Sequence, residues 1–64
     1  MRLTALRRQM AEEFGTVRAE TLAAAHVFAQ LEGRTVDEAL DAGVPPKAIW
    51  RAVCEALEVP AERR

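Results

Sequence analysis

The chain has 64 residues, nine basic against ten acidic, half of them apolar and 30% charged. That composition describes one globular domain, residues 1–64, with no strong overall field to draw it to nucleic acid or anionic lipid. The single Cys54 excludes an internal disulfide and fits a reducing cytosol, and no apolar run approaches the eighteen or so residues that cross a membrane. The opening MRLTALRRQM lacks a continuous apolar stretch after its arginines, as a signal peptide would have, and Glu12 and Glu13 oppose a transit sequence. A cytoplasmic location is expected. A domain of this size buries roughly 60% of the surface its unfolded chain exposes and is stable by only a few kcal/mol. Thirteen alanines, and eight arginines to one lysine, suggest a GC-rich genome more than they suggest chemistry.

The first helix is predicted from Thr4 as N-cap to about Phe14, with Gly15 closing it. Leu3, Leu6, Met10 and Phe14 form one stripe on a 3.6-residue period and are assigned to the core. Arg7 and Arg8 precede Glu12 and Glu13, against the helix dipole. Two readings follow: solvated i,i+4 pairing of Arg8 with Glu12, or a basic patch of Arg2, Arg7 and Arg8 held for a partner. Thr16 is the predicted cap of a second, central and longest helix over 17–31, ended by Gly33. Its buried face is assigned to Val17, Ala24, Val27, Phe28 and Leu31, with Leu22 and Ala29 starting another face. Ala23, Ala24 and Ala25 let neighbours approach closely, and alanine has the best helix propensity. His26, without a second His, a Cys or paired carboxylates, is read as a structural or surface histidine, with a hydrogen bond that pins the following corner as the alternative.

That corner, GRTVDEALDAGVPPKAIW, holds a helix start, a stop and a second start. Thr35 with Glu38 three residues later reads as a capping box. Gly43 suits the left-handed position past the end of a short helix, and Pro46 the first position of the next, over 46–57. Ile49, Trp50, Val53 and Leu57 make the buried stripe of that last helix, with Trp50 the largest core side chain. Cys54 is read as a small buried hydrophobe, since nothing near it in sequence would lower its pKa. Residues 60–64 are expected to add a loose turn, with Arg63 and Arg64 solvated. The fold class is therefore all-α, a compact bundle of three longer helices and one short helix with a helix-turn-helix-like corner. Its glycines and prolines all fall at predicted joints.

Two constellations bear on function. Ala39, Gly43 and Ile49 have the spacing by which many DNA-binding helix-turn-helix motifs pack, and Lys47 and Arg51 would be the contacts to DNA. The match is incomplete: Glu38 stands where an apolar residue is usual, and two prolines open the reading helix. Residues 34–58 carry three basic and five acidic side chains, net −2, a poor surface for phosphate. The catalytic constellation is nearly empty, with no serine, no tyrosine, one histidine and no glycine-rich phosphate loop. A pocket is also hard to build where nearly every apolar side chain is needed for the core. No catalytic residue, cofactor or metal is expected, and the chain is not read as an enzyme.

MRLTALRRQM, AEEFG, His26-Val27, GRTVDEAL followed by AGV, and WRAVCEALEVP together resemble a family of small actinobacterial proteins, catalogued as domain of unknown function number three thousand and forty-six. The likeness covers nearly the whole chain, with Gly33-Arg34-Thr35, Ala39-Leu40, Gly43, Trp50 and Cys54 at the family's spacing. Members often have an acidic residue at the places of Ala25 and Pro45. The resemblance implies a cytosolic actinobacterial protein with no assigned activity. Genes of the family often lie near that of recombinase A, so the resemblance implies a link to DNA repair by association only.

The favoured expectation is a protein-interaction module, regulatory in role, using Arg2, Arg7 and Arg8 of the first helix or the corner at Arg34. DNA binding through residues 35–58 is the alternative, and a structural accessory subunit stable only with its partner is a third.

Overall fold

The computed structural model describes residues 1–64, in the order α1 (Leu3–Phe14), α2 (Thr16–Ala25), a 3-10 turn (Ala29–Leu31), α3 (Val36–Asp41), α4 (Pro46–Ala56) and a last 3-10 turn (Ala61–Arg63). There are no strands beyond one isolated bridge, Phe28 with Arg34. The molecule measures 27 × 22 × 20 Å with a radius of gyration of 10.4 Å, against about 11 Å for a compact chain of this length. Its accessible surface is 4149 Å²; the unfolded chain would expose about 10,000 Å², so roughly 60% is buried.

Helix α1 starts two residues earlier than the sequence suggests. Arg2 is its N-cap, without a side-chain hydrogen bond, so Thr4 lies inside the helix and caps nothing. Leu6 and Met10 are buried, Phe14 is half-buried, and Leu3 is exposed. A single residue joins α1 to α2. Gly15 has φ 84° and ψ 152°. Its N–H donates to Ala11 O and its own carbonyl accepts from Ala19. Gly15, not Thr16, is therefore the cap of α2. That backbone region is essentially closed to residues with a Cβ.

The second helix ends at Ala25, well short of Leu31, so α1 is the longest helix. The reason is the face it buries. Ala19, Leu22 and Ala23 point into the core, whereas Val17 is 79% and Val27 56% exposed. Continued at roughly 100° per residue, that face would next bury His26 and Gln30 and carry Phe28 to the opposite side. Breaking the helix at His26 lets the chain extend through Val27 and turn Phe28 and Leu31 inward, where both are buried. A closed loop follows. Phe28 N–H donates to Arg34 O at 3.0 Å, and Phe28 O accepts from Gly33 and Leu31. Glu32 sits at the left-handed position, φ 60°.

The corner forms as its local signals require. Glu38 N–H donates to Thr35 Oγ1 at 3.1 Å and Thr35 N–H to Glu38 Oε1 at 2.8 Å, the reciprocal pair of a capping box. Past α3, Gly43 has φ 88°. Its N–H reaches Leu40 O while Val44 N–H reaches Ala39 O, which is a Schellman motif. Pro46 opens α4. Ala39 and Ile49, which pack the two helices, are fully buried.

The central element is α4 and not α2. It touches α1, α3 and the 3-10 turn after α2, and it buries Ile49, Trp50, Ala52, Val53 and Cys54. Phe14 meets the Trp50 ring edge-on, centroids 6.5 Å apart. A second Schellman motif ends α4, with Val59 N–H on Cys54 O and Glu58 left-handed at φ 55°. Arg63 and Arg64, expected to be solvated, instead tie the end of the chain down. Glu13 on α1 accepts two prongs from the Arg63 guanidinium, at 2.9 and 3.0 Å.

Candidate binding grooves

Because one glycine joins α1 to α2, the two helices pack side by side, and the small side chains where they meet leave a groove. Met10, Ala11, Ala19 and Ala23 form its floor, Arg7 and Arg8 the α1 rim, and Thr16 and Glu20 the α2 rim, around about 330 Å³. Arg7 reaches across to α3, its guanidinium 3.8 Å from the Asp37 carboxylate, with both side chains about half exposed. A pair so exposed contributes little to stability. Arg8 has no carboxylate within 4.0 Å, so the expected Arg8–Glu12 pair does not form and the charge of Arg8 stands free at the rim. Of the three arginines expected to form one basic patch, Arg2, Arg7 and Arg8, the fold gathers only Arg7 and Arg8 at this groove. Arg2 is the exposed N-cap of α1. Arg34 lies on the closed loop beyond α2 and is paired with Glu32 at 3.2 Å.

A second groove, of about 300 Å³, runs along the outer side of α4. Lys47 and Arg51, one helical turn apart, line it with Trp50, Cys54, Glu55 and Arg64. Arg64 is held in place: its Nε–H donates to Val59 O at 2.7 Å and an Nη2–H to Cys54 O at 3.5 Å. These are carbonyls at the C-terminal end of α4, where a cation also meets the negative end of the helix dipole. Trp50 is 5% exposed, and its indole N–H is buried without a hydrogen-bond partner.

The titratable groups that depart from ordinary behaviour are few. The hydrogen bonds from Arg63 hold the Glu13 carboxyl below its usual range, and the same contact raises Arg63. Burial pushes the Cys54 thiol up, partly offset by Arg64. That favours the thiol over the nucleophilic thiolate. His26 is exposed and lies against the Phe28 ring at 4.5 Å. No three His, Cys, Asp or Glu side chains come close enough to share a metal ion, and no helix is long and apolar enough to cross a membrane.

Sequence reasoning found Arg7, Arg8, Lys47 and Arg51 from their charge. It missed Met10, Ala11, Ala19 and Glu20 as walls of the first groove and Arg64 as part of the second. The alanines at 19 and 23, four apart, carried the available signal, because a small-residue step on a helix marks a close or hollow contact. Nothing local pointed to Arg64, whose place depends on the Schellman turn after α4.

A model of the family described as Protein of unknown function (DUF3046) matches residues 1–62. No curated protein and no solved structure matches the chain. The chain belongs to the DUF3046 family.

Proposed function

We propose that this DUF3046 member is a cytoplasmic, non-enzymatic interaction module with a regulatory role, which takes a segment of a protein partner into the groove between α1 and α2. The observation that carries this reading is the groove itself, an alanine-floored hollow of about 330 Å³ with the unpaired Arg8 on its rim. Its volume suits one bulky apolar side chain, and its rim suits a carboxylate set about a turn away. The partner segment is therefore an acidic amphipathic helix. DNA repair is the setting that the family resemblance suggests, through the partner and not through contact with DNA.

The test is direct. A tagged chain with Arg8→Glu, and one with Ala19→Leu to fill the hollow, are compared with the parent in capture from lysate followed by mass spectrometry. The same partner should be lost from both variants and kept by Lys47→Glu, with melting temperatures unchanged for Arg8→Glu. A partner captured equally by all four chains would place the interaction elsewhere.

A further inference from the structure

We propose that the groove along α4 is an anion site for a phosphate monoester, built by Lys47, Arg51 and Arg64. It is separate from the α1–α2 groove and does not depend on it. None of the three cations has a carboxylate within 4.0 Å, although all line the same hollow with Glu55. The three cations and one carboxylate sum to +2. A phosphate monoester carries about −1.5 to −2 at neutral pH, whereas a carboxylate or a phosphodiester carries only −1.

Arg64 is already oriented. Its two hydrogen bonds to Val59 O and Cys54 O hold the guanidinium while leaving the other N–H donors of the fork unpaired. Fixed donors lose less freedom on binding than a free surface arginine does. Trp50 walls the hollow and owns the one buried side-chain N–H that has no acceptor. The surroundings limit the ligand to a compact one. Glu55 lies in the groove, so an extended polyanion laid along α4 would meet a carboxylate beside the three cations.

Trp50 is the sole tryptophan, and there is no tyrosine, so intrinsic fluorescence reports on this groove. The full chain is titrated at constant ionic strength with inorganic phosphate, a nucleoside monophosphate, a phosphoserine peptide, the same peptide unmodified, and duplex DNA. A saturable change with the phosphate monoesters is expected, with Kd near the millimolar range for so open a site. Arg51→Gln and Lys47→Met, both at exposed positions, should each weaken it about tenfold, and Arg8→Gln should leave it unchanged. A phosphopeptide binding about tenfold tighter than free phosphate identifies a modified side chain as the source; equal or tighter binding of the nucleoside monophosphate identifies a small molecule. The proposal is overturned by no saturable response, by an equal response to chloride, by an undiminished response in Arg51→Gln, or by a stronger response to duplex DNA than to phosphate monoesters.

Discussion

Trp50 is the largest side chain in the core. It fills the space between α4 and the end of α1, and truncation to alanine typically costs 3–5 kcal/mol. A 64-residue chain has roughly 3–10 kcal/mol in total, so Trp50→Ala should be largely unfolded by circular dichroism. Because its indole N–H has no partner, Trp50→Phe forfeits no hydrogen bond and should remain folded with a modest loss. Equal melting of Trp50→Ala and the parent would contradict this account of the core. Cys54 is silent for a related reason. It is fully buried, so thiol reagents should label it only as fast as the chain opens. With the folded thiol pKa raised by burial, its contribution to stability is complete below the unfolded value, about 8.5. It is lost as pH rises through that value towards the folded one. Urea melts from pH 7 to 10 should show that decline, and Cys54→Ala should flatten it.

Elements differ in how far neighbours in sequence decide them. The capping box at Thr35, the glycine stop at Gly43 and the proline start at Pro46 were all legible, because each is fixed by residues within four positions. The end of α2 was not. No glycine, proline or cap marks Ala25, and the helix stops because α1 selects the face of Ala19 and Leu22, which leaves Phe28 on the wrong side unless the chain unwinds. A hydrophobic period read on α2 alone chose Val17 and Val27 instead, both of which are exposed. Arg63 was equally hidden, since Glu13 is fifty residues away. The joints give two graded predictions. Thr35→Ala should cost about 1 kcal/mol. Gly15→Ala should cost more, about 1–3 kcal/mol, although a Cβ there meets nothing within 4 Å, because its φ and ψ are the obstacle. At the end of α4 the sign reverses: Glu58 is left-handed, and Glu58→Gly should stabilise by up to about 1 kcal/mol. Thermal melts of the three variants should follow that order, and a Gly15→Ala melt above that of Thr35→Ala would refute the backbone argument.

At the scale of the whole molecule, charge decides between partners. The chain is net −1, but its cations are not mixed evenly: residues 1–18 carry four arginines and two glutamates, net +2, while residues 34–58 are net −2. A helix-turn-helix would have to bring α4 against a duplex, and Lys47 and Arg51 do stand exposed on it. Glu55 lies in the same groove, so a long phosphate backbone laid along α4 would meet a carboxylate beside the cations, which offsets part of the attraction. Weak attraction to DNA, where it occurs, should therefore depend on Arg7 and Arg8 at the α1–α2 groove and not on Lys47 and Arg51. With so few contacts the salt dependence should be shallow, a slope of roughly −0.9 for each phosphate engaged. No specific duplex binding is expected at physiological salt. Fluorescence anisotropy with genomic fragments at two salt concentrations tests this: submicromolar, sequence-dependent binding abolished by Arg51→Ala would make DNA the partner of α4. It would also move the function from the first groove to the second.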